Sequence, residues 1–290
     1  MTPKCRADPP GRHAWRQEPE CRGGGPHTAE ESLLAGALLS ERIYFGLGAL
    51  EKSGAGWVLT NIPGLEALPA ASVCILDAAT LDFADAAART IGLMENEFAS
   101  LRASRARFYA GETPPEFESL MEDKGYQRRT EIVHAFAPLA QAPVADQASG
   151  WRPVRSELDW AEKAAVHALP SSASDGYDAA PDQWLALERR KAETGKIEFW
   201  LFRLDGLAVA TTGLIRLPQH IVRIKNFFVR ADHRRRGVGT KALGNLLRQL
   251  PAAGEKAAVV LSVEGSIGQR LYESAGAREI GRIYEWSRAL

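Results

Sequence analysis

The sequence has little that would lock a fold covalently or through a metal ion. It contains three cysteines, Cys5, Cys21 and Cys74. An odd count at wide spacing excludes a readable disulfide framework or a paired Cys-x-x-Cys zinc site, and it fits a reducing compartment. The histidines stand singly, with no two at metal-ligand spacing, so no metal site is expected. No apolar run reaches the roughly 18 residues of a membrane-spanning helix, and the polar start lacks the apolar stretch of a secretory signal. The expectation is a cytoplasmic chain with no membrane partner. Net charge is also lacking: 36 basic residues balance 36 acidic ones. Such a chain has no general attraction to polyanions, and no nucleic-acid partner is expected.

What is present is ample apolar material. Of 290 residues 45% are hydrophobic and 25% charged, enough for two ordinary cores. Residues 1–30 are rich in Pro, Gly and Arg, with Gly23, Gly24, Gly25 and Pro26 in succession, and are expected to be a disordered tail. Residues 31–140 read as a first α/β unit. Its helices are expected at 31–39, 83–101 and 117–124, and its strands at 44–49, 57–60, 73–76, 107–110 and 132–137. Residues 141–150 are small, polar and proline-containing, the composition of a linker. A second unit, 151–290, runs strand, two helices, three strands, helix, strand, helix, strand. Leu120 to Tyr126 and Leu271 to Ala277 both read as a helix ending at a glycine, Gly125 and Gly276, before a last strand. The repetition points to an internal duplication.

The segment that carries chemistry runs from Asn226 through Arg234-Arg235-Arg236-Gly237-Val238-Gly239-Thr240 to Leu243. A strand enters a basic turn, two glycines follow, and a helix begins. Free N–H groups and the dipole at a helix start suit a diphosphate, glycines admit its close approach, and arginines add forked donors. A Walker loop needs four residues between its glycines, and Gly237 and Gly239 stand too close. Gly237-Val238-Gly239-Thr240-Lys241-Ala242 does match Gly-x-Gly-x-x-Gly/Ala, the dinucleotide fingerprint of a nicotinamide-dependent oxidoreductase. That fingerprint normally opens a domain, whereas here only about fifty residues follow.

The third pattern, Arg/Gln-x-x-Gly-x-Gly/Ala, is met by Arg234 to Gly239. It resembles the acetyl-CoA pyrophosphate loop of the GNAT superfamily of N-acyltransferases. The resemblance extends over nearly all of 151–290 through the order of elements and through Leu271-Tyr272-Glu273 followed by Gly276. It implies an α/β fold of two tandem GNAT-like units, each a twisted mixed β-sheet flanked by α-helices, with a degenerate first unit. It implies acetyl-CoA as cosubstrate and a small-molecule or peptide amine as acceptor, attacking the thioester directly. Phe227, Phe228 and Val229 would lie on a splayed strand beside the acetyl and pantetheine arm. Arg234, Arg235 and the N–H groups of Gly237, Val238, Gly239 and Thr240 would hold the diphosphate. Tyr272 would protonate the departing thiolate. The first unit has no basic Gly-x-Gly turn, and Met121 stands where Tyr272 does, so packing or shaping the acceptor cleft is its expected task.

Two departures from the pattern, Gly265 and Gly268, stand where many relatives carry Asn and Ala. Candidates for the base that deprotonates the acceptor are Glu198, His220 and Glu264, all near strand ends. Trp160, Trp184 and the 169–181 loop, with Asp175, Tyr177 and Asp178, border the region where an acceptor would enter. The alternative function is a non-catalytic acyl-CoA-binding regulatory module.

Overall fold

The computed structural model describes residues 29–77, 81, 84–139, 150–167 and 180–290. Residues 1–28 of the expected 1–30 tail, most of the linker and the acceptor-loop residues Asp175, Tyr177 and Asp178 lie outside the described residues. A first helix, α1 (Ala29–Gly46), precedes strands β1 (Leu50–Gly54), β2 (Trp57–Asn61) and β3 (Ser72–Leu76). Helix α2 (Ala84–Ser100), strand β4 (Arg105–Ala110), helix α3 (Pro115–Asp123) and strand β5 (Gln127–Phe136) complete the first half. The second half opens with β6 (Gly150–Pro153), α4 (Glu157–His167) and α5 (Pro181–Glu193). There follow β7 (Glu198–Leu204), β8 (Leu207–Leu217), β9 (Ile221–Val229), α6 (Val238–Gln249), β10 (Ala257–Val263), α7 (Ile267–Ser274) and β11 (Arg278–Ala289).

The mixed α/β class is as expected. The two halves, however, share one 11-stranded sheet in the order β1-β2-β3-β4-β11-β5-β10-β9-β8-β7-β6. Each half contributes a parallel pair, β3 with β4 and β9 with β10. Each half's last strand then crosses into its partner: β11 lies between β4 and β5, and β5 lies between β11 and β10. Two antiparallel strands exchanged at the centre make a pseudo-twofold arrangement, so neither half completes its sheet alone.

Helices cover both faces of the sheet. On one face α2 and α3 bury Ile91, Met94, Phe98, Phe117 and Met121 against Phe108 and Trp286. On the same face α6 and α7 bury Ala242, Leu243, Leu246 and Tyr272 against Ile224, Ala258 and Val260. On the other face α1 lays Leu33, Ala37, Tyr44 and Phe45 over Tyr109, Val133, Ile221 and Val259.

Helix α1 runs to Gly46, seven residues past the expected end at Leu39, and the strand expected at 44–49 is instead β1 at Leu50–Gly54. The reason is a buried stripe, Leu33, Ala37, Ser40, Glu41 and Tyr44, at helical spacing. Its polar members have partners. The Ser40 hydroxyl donates to the Ala37 carbonyl at 2.6 Å, and Glu41 accepts from Arg223 at 2.8 Å and Lys225 at 2.7 Å. Burial pushes the Glu41 carboxyl up, but Lys225 and Arg223 outweigh it and hold it at about 2. A first-half helix is thereby pinned to a second-half strand by a buried ion triad. No described helix is long and apolar enough to cross a membrane.

Candidate functional site

The site grows from an irregularity in β9. Its pairing with β8 runs regularly to Lys225–Gly213, then shifts before Phe228–Thr211, which leaves two residues of β9 opposite one of β8. Asn226 occupies this bulge with φ 53, a left-handed conformation that asparagine tolerates better than most residues. Beyond the bulge β9 leaves its other neighbour. Its parallel pairing with β10 stops at Ile224–Val260, while β10 stays paired with β5 as far as Val263–Glu131. A wedge opens between β9 and β10, and one backbone edge of 225–229 faces it without a strand partner. Phe227, Phe228 and Val229 lie along that edge.

Alternate side chains diverge around this edge. Phe227 packs on Trp151 and Tyr272, at ring separations of 5.9 and 6.5 Å. Phe228 faces the opposite side, against His167 at 4.3 Å. Past Val229 the chain makes a short 3-10 turn, Ala231–His233, and enters the basic loop. Arg235 and Gly237 both take positive φ, 56 and 76. Gly237 caps α6, whose first N–H groups, Val238 to Thr240, face the loop without helical acceptors. The arginines divide. Arg234 folds back, its Nε donating to the Val229 carbonyl at 2.9 Å and its guanidinium stacked 4.6 Å from the Phe228 ring. Arg235 is exposed beside the helix start. Arg234 braces the loop, and Arg235 with the helix N-terminus presents charge and donors.

Tyr272 closes the wedge from the other side. Ser266 caps α7 by accepting from the Gln269 N–H at 3.1 Å, so the helix start is well defined. Gly268 is its second residue, and a Cβ there would meet the Tyr272 ring at an ordinary 3.7 Å. The helix therefore needs no alanine at 268 to place Tyr272. That side chain is 5% exposed and lines a cavity of 450 Å³ together with Phe227 and the end of β10. Burial raises its hydroxyl pKa to about 12, so it is fully protonated at neutral pH.

The cavity continues across the sheet into the first half. Its floor is built from β4, β11, β5 and β10, with Tyr109, Glu285, Arg129 and Glu131 among the lining residues. Two arginines and a tyrosine converge on Glu285: Arg107 at 2.7 Å, Arg129 at 2.6 Å and the Tyr109 hydroxyl at 2.7 Å. Burial pushes Glu285 up, but Arg107 and Arg129 bring it below the ordinary carboxylate range. Glu131, bonded by Arg129 at 3.1 Å, goes the other way. Burial raises its pKa and Glu41 adds to this, against the opposing pull of Lys225 and Arg129.

None of the three bases anticipated near strand ends reaches this cavity. Glu198 pairs with Arg216 and Glu264 with Arg282 at the surface, and His220 is exposed. Sequence reasoning missed both cavity carboxylates, Glu285 and Glu131, the latter because it sits in the first half on a strand expected to begin only at Ile132. Trp184 lines the cavity and packs with Leu187 against Ile62 and Leu68. A larger hollow of 1040 Å³ along α1 and β11 contains none of the residues singled out in the second half's loop or wedge.

With this geometry in hand the comparisons are specific. Residues 161–277 match the acetyltransferase (GNAT) family. The match covers less than half of the chain, and it contains the bulge, the wedge, the basic loop and Tyr272. Among solved structures, a functionally unknown conserved protein from Staphylococcus epidermidis superposes with a TM-score of 0.64 at 12% identity, over 84% of this chain and 95% of that one. A GCN5-related N-acetyltransferase from Kribbella flavida gives 0.60 at 15% identity, over 88% and 94%. Another GCN5-related N-acetyltransferase, from Sphaerobacter thermophilus, gives 0.50 at 16%, over 82% of each chain. The first two overlaps take in both halves, so the likeness of fold extends over the chain and not only over its second half. No curated relative matches the chain by sequence.

Proposed function

We propose that the chain is an N-acyltransferase that moves an acetyl group from acetyl-CoA to an amine. The observation that carries this reading is the wedge between β9 and β10, with an open N-terminus of α6 at one end and Tyr272 at its side. A free strand edge accepts an extended, amide-bearing arm as an added strand would. The N–H groups of Gly237 to Thr240 and the exposed Arg235 suit a diphosphate, with Arg234 holding the loop in shape.

When bound, acetyl-CoA supplies the acyl group as a thioester, whose C–S bond breaks as the amine nitrogen bonds to the carbonyl carbon. Backbone donors on the 227–229 edge polarise that carbonyl. Tyr272 donates a hydrogen bond to the departing sulfur. A thiol has a pKa near ~8.5, well below the roughly 12 of Tyr272, so full transfer from the tyrosine is uphill. Tyr272 therefore stabilises the departing thiolate through that hydrogen bond, and the thiolate takes its proton from solvent on release. Glu131 takes the proton that the amine gives up, since its raised pKa makes it the more basic of the two cavity carboxylates.

We further propose that the halves, 31–140 and 151–290, descend from one duplicated unit, of which only the second kept the loop and the tyrosine. The test is calorimetric titration of the full chain with acetyl-CoA, with NAD as the control. The expected result is one acetyl-CoA site per chain and none for NAD. Two sites would contradict a silent first half, and absence of acetyl-CoA binding would sink acyl transfer.

A further inference from the structure

The wedge holds a second hydroxyl beside that of Tyr272. Ser262 is on β10, two residues past Val260, where the pairing with β9 ends. Side chains alternate along a strand, so Ser262 shares the face of Val260, which packs in one cluster with Tyr272. Ser262 and Tyr272 both line the 450 Å³ cavity. A Cβ on Gly268 would lie 3.7 Å from the Tyr272 ring and 3.8 Å from the Ser262 Cβ, so one small group spans the gap between the two side chains. Among the described residues no hydrogen bond joins their hydroxyls, since the Ser262 Oγ is bonded to His134.

His134 is on β5 in the first half. The register pairs Val260 with His134 and Ser262 with Ile132, which makes His134 and Ser262 diagonal neighbours on one face. The His134 Nε2 lies 2.8 Å from the Ser262 Oγ, and its ring is 5.9 Å from that of Tyr272. The side chain is fully buried, and burial lowers its pKa against the opposing pull of Glu273 and Glu279. The ring is therefore neutral at neutral pH and carries one N–H. Its Nδ1 is buried without a hydrogen-bond partner. A proton on Nδ1 would be an orphaned buried N–H, the rarer of the two possible defects. On Nε2 the same proton is bonded to the Ser262 oxygen. Ser262 then accepts from His134 and keeps its own hydroxyl proton for the cavity that it lines.

On the reading that acyl transfer takes place at the wedge, we infer that Ser262 is a second hydrogen-bond donor to the departing sulfur, and that His134 is the positioning residue that turns the Ser262 hydroxyl proton into the wedge. A thioester held by its oxygen at the β9 edge has its sulfur free for the β10 and α7 side, where Ser262 and Tyr272 stand. As the C–S bond breaks, the electron pair stays on sulfur and two O–H groups share its charge. Both protons remain on their oxygens, and CoA takes its proton from solvent on leaving. A hydrogen bond to an ionised acceptor is about twice as strong as one to a neutral acceptor. The two donors therefore favour the thiolate over the thioester sulfur, and their effect falls on the step that breaks the bond. The first half then contributes to the leaving-group side of the reaction through β5.

The test reads the thiol of CoA bound to the full chain, and it needs no acceptor. Calorimetric affinity for CoA is followed through the titration of the thiol near pH ~8.5, with acetyl-CoA, which has no thiol, as the control. Ser262→Ala is expected to raise the pKa of the bound thiol by about one unit, read as roughly tenfold weaker CoA binding on the alkaline side, with acetyl-CoA affinity unchanged. Ser262→Thr keeps a hydroxyl and should keep the value of the unaltered chain. His134→Phe should move the bound thiol in the same direction as Ser262→Ala, and adding it to Ser262→Ala should change nothing further, because it acts through Ser262. The nitrogen-15 shifts of the His134 ring in the unaltered chain should place the proton on Nε2. A proton on Nδ1 would overturn the inference by itself, since Ser262 would then donate to His134. A bound-thiol pKa that Ser262→Ala leaves in place would also overturn it, and additive effects of the two substitutions would remove His134 from the positioning role. Absence of CoA binding by the unaltered chain would instead remove the acyl-transfer reading, a result distinct from CoA binding with an unmoved thiol.

Discussion

The helix that ends at Gly125 and the helix that ends at Gly276 close in the same way. In each, the glycine takes a left-handed φ, 77 and 91, and its N–H bonds three residues back, to Glu122 at 2.8 Å and Glu273 at 3.0 Å. The next N–H reaches five residues back, Tyr126 to Met121 at 2.9 Å and Ala277 to Tyr272 at 3.0 Å. Met121 and Tyr272 thus occupy equivalent places, each under a parallel strand pair. The difference lies in the strands above them. The register between β2 and β3 is unbroken, whereas β8 and β9 carry the Asn226 bulge. An unbroken register gives a packed core over Met121. A bulge gives a wedge over Tyr272. The sequences after these strands differ as well: residues 77–83 hold two aspartates and no glycine, while three arginines precede Gly237 in the second half. One extra residue in one strand and a change of charge after it are what distinguish the two halves at these positions.

The largest test asks whether the halves are separable at all. Because β5 lies between β10 and β11, a chain of residues 141–290 alone lacks the central strand of its own sheet. It is expected to be unfolded or aggregated by circular dichroism and gel filtration, and to be rescued by co-expression with residues 1–140. A soluble, cooperative fragment would break the comparison by making the second half self-sufficient. A milder version is Glu41→Ala, which leaves Arg223 and Lys225 buried without their carboxylate and should cost about 3–5 kcal/mol in denaturant unfolding. The pH dependence follows from the same group. Glu41 titrates at about 2 in the fold and near ~4.3 when unfolded, so its contribution is complete above ~4.3 and is lost as pH falls toward 2.

Next comes Tyr272→Phe. Removing one positioned donor at the departing atom typically lowers turnover by about 10²–10³. The expected outcome is that loss in steady-state kinetics with acetyl-CoA affinity retained. Unchanged turnover would leave Tyr272 as a packing residue, equivalent in role to Met121. Arg235→Glu should then weaken acetyl-CoA binding by roughly tenfold or more, since it replaces a charge-assisted donor with a repelling carboxylate. Unchanged affinity by calorimetry would remove Arg235 from the diphosphate site.

The sequence made the second-half site legible because its parts are contiguous. The turn from Arg234 to Gly239 and the run from Leu271 to Gly276 each carry their chemistry within a few residues, and both are where the strand and helix order placed them. The exchange of β5 and β11 was hidden by their composition. Gln127 to Glu131 and Ser287 to Ala289 are largely polar, so only the apolar ends, 132–137 and 283–286, read as strands. Those polar residues are in the sheet because alternate members face a polar cavity, a context no local pattern reports. Glu131 was missed for the same reason: it lines the cavity only because the sheet is shared between two regions more than a hundred residues apart.

The smallest expected effect sharpens the comparison from the silent side. Met121 is fully buried among Phe117, Phe98 and Trp286. Met121→Leu conserves volume and should cost under about 1.5 kcal/mol in denaturant unfolding. It should leave the kinetics with acetyl-CoA and amine unchanged, because Met121 lies outside the 450 Å³ cavity. A Met121→Leu chain with normal stability but altered turnover would mean that the first half reports to the wedge through its core and not only through the floor it builds. With unchanged kinetics, the floor residues on β4 and β5 are left as the first half's whole contribution to the reaction.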